Sequence, residues 1–247
     1  NATDFDFVDY DRLFVVDKAD AKVKVVDLVS LDIISDIETG DVANPSFIIS
    51  NWYRSFILNS GAVADSLKDS TIVCIDNKDQ AIPLANFMGS IEVGENPNSA
   101  VFINNFKILC KGIYDPNNLQ WNTFSSLSKV DPWNMELDWN VSLGAYNAKN
   151  LTSNTSGTVL FFTANSGVHK MDDDGSSVTT IIPILSDVLF VKTELYAIND
   201  TTNGYSNMLY INDAVYNPNI VYKFNQATAL YCDTIVVNAP VKDIAFY

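Results

Sequence analysis

The sequence predicts an all-β protein, a β-propeller of four-stranded antiparallel blades, on three observations. Short runs rich in Val, Ile, Phe, Tyr and Leu, each bounded by Asn, Asp, Gly or Pro, recur from one end to the other. Helical periodicity is hard to find anywhere. Third, segments repeat: GDVANPSFIISNWYRSFILNSG (40–61) lines up with VGENPNSAVFINNFKILCKG (93–112), as Gly, polar residues, Asn-Pro, strand, corner, strand, Gly.

Each of these two segments is followed by a third strand that ends in Asp, TIVCID and SLSKVD, matching the earlier KVKVVD. GTVLFFTANSGVHKMDDDG (157–175) repeats the same rhythm. A tile of about forty to fifty residues with four short strands cannot bury both of its faces alone, so tiles must stack around an axis. The expected blades are 3–39, 45–93, 98–143, 147–184 and 187–237. KDIAFY (242–247) is left over as an extra innermost strand, although TDFDFV (3–8) already fills that place in blade one. Either TDFDFV lies outside the sheet, or strands that KDIAFY would join are missing; the second is favoured, with six or seven blades in the intact protein. One domain, 1–247, is expected. At 51–54, NWYR is expected to form a wide corner.

Composition narrows the function. Among 247 residues, 47% hydrophobic, thirty acidic side chains against fifteen basic ones give a net charge of −15. A nucleic acid would be repelled over most of that surface. No apolar run reaches the ~18–20 residues of a membrane span, and no basic-then-apolar leader opens the chain. Because the chain starts at Asn1 rather than Met, a leader or anchoring segment could precede it.

Chemistry-bearing motifs are sparse. Cys74, Cys110 and Cys232 are far apart inside apolar runs, an odd count with no CxxC pair, and are expected to be small buried hydrophobes rather than a disulfide or zinc set. His169 has no local nucleophile motif beside it and reads as a strand residue. Asp172, Asp173 and Asp174 are contiguous rather than alternating, which suits a solvated turn better than a calcium loop. No metal, no cofactor and no catalytic residue is expected, and the chain reads as a non-enzyme.

Loop lengths are more telling. Connections between second and third strands fall on one face of a propeller, and here they are uneven. The longest, KGIYDPNNLQWNTFS (111–125), carries Tyr114, Trp121 and Phe124 with Asp115, Asn117 and Asn118. With Tyr216 from the fifth tile, this makes the expected ligand- or partner-binding surface: rings supply apolar faces and amides fix orientation. Trp52, Tyr53 and Trp133 fall at corners of the opposite face and suit docking. Five N-x-S/T sequons, at Asn1, Asn140, Asn150, Asn154 and Asn199, leave N-glycosylation open.

The tiles VDLVSLDIISDIETG, STIVCIDNK, VGENPNSAVFINNFKILCKG, SSLSKVDP, GVHKMDDDG and NAPVKDIAFY resemble the YVTN-type propellers, in particular the branch of Bacteroidota surface lipoproteins that includes cobalamin-binding propellers. The resemblance covers nearly the whole chain in order, yet it rests on blade-building Gly, Pro, Asp and apolar residues. It implies an outer-membrane surface location through a lipid anchor outside this sequence, and no transmembrane span. It also implies O-glycosylation at Asp-Ser/Thr sites, here Ser66, Ser70, Thr201 and Thr234. Two functions follow as expectations: capture of a nutrient, such as a glycan or a cobalamin, for a TonB-dependent barrel, or a structural subunit of an outer-membrane secretion or assembly machine.

Overall fold

The computed structural model describes residues 2–38, 44–60, 69–77, 86–103, 105–154, 156–183, 188–193, 208–213, 217–226 and 228–241. The expected strand KDIAFY lies outside them. Five four-stranded antiparallel sheets form, each a meander whose strands pair in sequence order. They are the blades of a β-propeller fold. Blade one holds β1 (Ala2–Asp9), β2 (Arg12–Asp17), β3 (Lys22–Asp27) and β4 (Ile33–Glu38). Blade two holds β5 (Pro45–Ser50), β6 (Arg54–Asn59), β7 (Thr71–Asp76) and β8 (Asn86–Glu92). Blade three holds β9 (Pro97–Ile103), β10 (Asn105–Cys110), β11 (Ser126–Asp131) and β12 (Glu136–Ser142). Blade four comprises β13 (Lys149–Ser153), β14 (Val159–Ala164), β15 (Gly167–Asp172) and β16 (Thr179–Pro183), and blade five β17 (Val188–Thr193), β18 (Met208–Asp213), β19 (Asn217–Asn225) and β20 (Tyr231–Val236). TDFDFV is therefore in the sheet, as part of β1.

The chain divides into two compact units, Asn1–Val141 with blades one to three and Ser142–Tyr247 with blades four and five. In the first unit, Phe14, Val16, Val23 and Val25 of blade one pack with Ile48, Ile57, Val73 and Ile75 of blade two. The other face of blade two gives Phe56, Leu58, Ile72 and Cys74 to a second cluster with Phe106, Ile108, Cys110 and Val130 of blade three. Strand alternation makes this possible: neighbours along β6 point to opposite sides, so Ile57 serves one core and Phe56 and Leu58 the other. In the second unit, Phe161 and Val168 of blade four meet Leu209 and Ile211 of blade five.

The strand-ending Asp of the tile has a mechanical job. Asp27 Oδ1 accepts from the amides of Val29 and Ser30, and Asp131 Oδ1 from those of Trp133 and Asn134. Four residues after each Asp, Leu31 (φ 62°) and Met135 (φ 62°) turn left-handed and donate back to the carbonyls of Asp27 and Asp131. Ala229 closes on Asn225 in the same way, and Asp17, whose Oδ1 accepts from Ala19 N and Asp20 N, is followed by Ala21 at φ 54°. A short acceptor side chain thus replaces the missing ladder bonds and reverses the chain.

Innermost strands of blades one and two are tied by carboxylates. Asp4 Oδ2 accepts from Ile48 N at 2.9 Å and Asp6 Oδ2 from Ser50 N at 2.7 Å, so β1 and β5 run in the same direction. Burial pushes the Asp6 carboxyl above its ordinary value, against the lowering effect of these amide bonds. Folding therefore favours the protonated form, and the contribution of this group to stability grows as pH falls through the folded pKa. Asp6→Ala leaves the Ser50 amide without that acceptor and is expected to cost about 1 kcal/mol at neutral pH, whereas Asp6→Asn keeps an acceptor without the charge and should cost less. Urea unfolding of the two variants checks this; equal losses would show that the charge, not the acceptor, matters.

Candidate functional site

Loop 111–125 is an ordered structure rather than a slack connection. Its root is held by the turn that precedes β9: Lys111 N donates to Asn96 O at 2.9 Å, Gly112 N to Glu95 O at 3.0 Å, and Asn96 Nδ2 to Gly112 O at 2.9 Å. Ile113 and Thr123 then pair across the loop as an isolated antiparallel bridge. Ser125 Oγ donates to Lys111 O at 2.6 Å and closes the base.

Beyond the bridge, Asp115 N donates to Asn122 Oδ1 at 2.7 Å and Asn117 N to Asp115 Oδ1 at 2.8 Å. A single 3-10 turn, Leu119–Trp121, forms the tip. Held by these bonds, the loop exposes its large side chains. Leu119 (68%), Trp121 (59%), Phe124 (49%) and Tyr114 (38%) all show large exposed fractions. Exposed rings on a hydrogen-bonded frame lose little conformational entropy when they bind, which suits contact with an apolar or ring-shaped surface.

Tyr114, Asp115, Asn117, Trp121 and Phe124, selected from the sequence, all belong to this loop, and Tyr114, Trp121 and Phe124 are exposed on it. Asp115 acts as the loop's own scaffold, its carboxylate holding the Asn117 amide. Leu119 was missed, because an apolar residue without a ring carries no motif. Tyr216, Ser66 and Thr201 lie outside the described residues. Ser70 is half-buried before β7, and Thr234 sits within β20, with its hydroxyl 2.5 Å from that of Tyr231.

At the opposite end of the strands, Trp52, Tyr53 and Trp133 do meet in part. The Tyr53 and Trp133 rings stand edge to face with centroids 5.9 Å apart. Arg54 lies over the Trp133 ring at 5.2 Å, and its guanidinium donates to the carbonyls of Pro132 and Trp133. The wide corner expected at 51–54 is instead tight: Asn51 Oδ1 accepts from Tyr53 N and Arg54 N, and Asn51 N donates to Arg54 O. An Asn at the end of β5 does here what Asp does after β3 and β11.

The remaining reactive groups are built into blades. His169 is buried on β15, stacked on Phe162 with centroids 5.0 Å apart, with Ser166 Oγ 2.9 Å from Nε2 and Thr180 Oγ1 3.4 Å from Nδ1. Burial lowers its pKa. Between that lowered value and the unfolded value near 6.5 the unfolded chain binds the extra proton, so stability falls as pH drops through this window. His169→Phe removes this slope, and thermal melts at pH 7 and 5 should differ less than in the parent; an unchanged difference would count against it. Cys74 and Cys110 are buried with thiols pushed up to about 12, while Cys232 is only half-buried, a departure from the expectation for all three. Asp173 and Asp174 form the turn after β15, where Asp174 Oδ1 accepts from Ser176 N. Three sequon residues use their side chains locally: Asn140 Oδ1 accepts from Ser128 Oγ, Asn150 Nδ2 bonds Thr163 Oγ1, and Asn154 Oδ1 caps Thr158 and Val159.

The fold is a propeller scaffold that presents these exposed side chains at its loops and corners. No family model and no curated protein matches the chain. Among solved structures it is similar to Kuenenia stuttgartiensis hydrazine synthase, with a TM-score of 0.64 and 16% identity over 87% of this chain and 61% of that one. It is also similar to the dihydro-heme d1 dehydrogenase NirN in complex with DHE, with a TM-score of 0.63 and 12% identity over 93% of this chain and 45% of that one. At such identities the likeness shows the fold alone. The chain spans less than two thirds of the length of either. Among the described residues, no helix is long and apolar enough to cross a membrane.

Proposed function

We propose that this chain is a non-enzymatic binding propeller that captures a ligand at loop 111–125 and serves as a cell-surface accessory of an outer-membrane transport complex. The observation that carries the binding part is the set of exposed Tyr114, Leu119, Trp121 and Phe124 side chains on a loop whose backbone is held by its own hydrogen bonds. The resemblance to Bacteroidota surface lipoproteins supports the location, a lipid anchor outside this sequence, O-glycosylation at Ser70 or Thr234, and a nutrient such as a glycan or a cobalamin handed to a TonB-dependent barrel. A non-catalytic role is supported by His169, whose ring is flanked by Ser166 and Thr180, and by the buried thiols of Cys74 and Cys110, which stay protonated at neutral pH. The second reading, a structural subunit of an outer-membrane secretion or assembly machine, rests on the exposed Trp52, Tyr53 and Trp133.

The test is a thermal-shift screen with oligosaccharides and corrinoids, repeated on Trp121→Ala. A ligand at a hundred times its dissociation constant stabilises by about 2.7 kcal/mol, a shift of several degrees. Trp121→Ala should abolish the shift while leaving the unliganded melting temperature within about 2 °C, because the ring covers no core. If no compound acts on the parent, or if the variant responds equally, loop 111–125 is not the capture site.

A further inference from the structure

Among the described residues of unit 1, the corners between first and second strands and between third and fourth strands lie at one end. Within a meander these two corners share an end, and β5 runs with β1 through the Asp4–Ile48 and Asp6–Ser50 bonds. Arg12 Nη2, from the β1–β2 corner, reaches Asn77 O after β7 at 3.5 Å. Arg54, from the β5–β6 corner, reaches the carbonyls of Pro132 and Trp133 after β11. Loop 111–125 leaves from the other end of the strands, so this end is a separate surface.

Its composition is unlike that of ordinary turns. The corners place Tyr10 (87% exposed), Val29 (84%), Leu31 (74%), Trp52 (60%), Trp133 (57%) and Tyr53 (54%) at or beside their tips. An Asx oxygen accepts from backbone amides in each of these corners, at Asp9, Asp27, Asn51 and Asp131, and that turn chemistry asks for none of these side chains. Apolar groups gathered at one end of a soluble unit mark a contact surface, and Trp, Tyr and Arg dominate the energy of protein interfaces.

Charge tells what the contact is with. Asp9, Asp11, Asp27, Asp32, Asp131 and Glu136 sit in or beside these corners. Backbone donors hold Asp27 and Asp131 below the usual carboxylate range, so both keep their charge into acid solution. Among the described residues, the two arginines at this end are already engaged, Arg12 with Asp9 and Asp11 and Arg54 with the carbonyls and ring of the Trp133 corner; the β7–β8 corner, which carries Lys78 and Asp79, lies outside the described residues. An apolar centre in a frame of carboxylates selects a cationic partner and repels acidic ones.

We infer that this end of unit 1 docks a basic protein segment carrying apolar side chains, which seat on Trp52, Tyr53 and Trp133 while its cations face the corner carboxylates. The inference stands whether or not loop 111–125 captures a ligand.

A synthetic amphipathic peptide of lysine and leucine is the probe, added to the whole protein and followed by calorimetry. Trp52→Ser combined with Trp133→Ser should weaken binding about tenfold or more, while Trp121→Ser changes it little. Binding should also weaken with salt. Chemical modification of tryptophan in the unmutated protein gives a second reading that does not depend on variants folding: the peptide should protect Trp52 and Trp133 and leave Trp121 reactive. Equal binding by the corner and loop variants, or protection of Trp121 instead, would overturn the inference in favour of non-specific attraction to an acidic protein. Protection of Trp52 and Trp133 by phosphatidylcholine vesicles, with none by the peptide, would overturn it in favour of a membrane surface.

Discussion

Phe106→Ala is expected to destabilise the first unit by about 3–5 kcal/mol, the usual cost of emptying a fully buried aromatic site. Phe106 is inaccessible to solvent, and its ring lies 4.4 Å from that of Phe56 and 5.4 Å from that of Phe102 between centroids. The cluster it anchors joins blades two and three, so the cavity would open along a blade-to-blade seam where Leu58, Ile72, Cys74 and Ile108 also meet. Domains are stable by only about 5–15 kcal/mol, so the loss takes a large share of that margin and should lower the melting temperature by on the order of 10 °C. Phe106→Leu fills most of the volume and should cost less than half as much. Circular-dichroism melts of the two variants decide the matter: a loss below about 1 kcal/mol for alanine would mean that blades two and three are not held together through this seam.

The seam also shows which parts of the fold could be read from sequence. Middle strands carry alternation that feeds two cores, and RLFVVD, TIVCID and MLYIND form at the residues expected, as β2, β7 and β18. Outer and polar strands are harder. β12, ELDWNVS, is exposed along most of its length, and β13, KNLTS, has few apolar residues, so neither offers a hydrophobic run to recognise. Their places were legible only through the repeat, which required a fourth strand in blade three and a first strand in blade four.

At the candidate sites, residue type was legible and geometry was not. The length and aromatic content of 111–125 singled it out, but the Ile113–Thr123 bridge and the Asn122–Asp115 bond that stiffen it depend on residues brought back across the loop. At the opposite end, Trp52, Tyr53 and Trp133 could be placed by strand counting. The part of Arg54 could not, because it acts on a corner distant in sequence, and the recurrence of an Asx acceptor after β3, β5 and β11 emerges only when the amide donors are known.

Gly112→Ala should disable loop 111–125 at its root. Gly112 has φ +69°, which costs an L-residue roughly 1–2 kcal/mol. The larger problem is space: a Cβ here would lie 2.5 Å from Thr123 O, 2.7 Å from Phe124 O and 2.8 Å from Phe124 C. All three are backbone atoms of the returning strand of the loop, so no side-chain rotation relieves the overlap, and the Ile113–Thr123 bridge has to open. Asparagine separates the two causes, because it tolerates positive φ but still carries a Cβ. If backbone strain dominated, Gly112→Asn would behave like the parent; overlap predicts that both variants fail together. The expected readouts are faster proteolysis within 113–124 and loss of any ligand-induced thermal shift that depends on Trp121. Blades one and two carry no part of the loop and should keep their slow hydrogen exchange, so a variant that loosens those blades as well would place Gly112 in the folding of the whole unit rather than in the presentation of the loop.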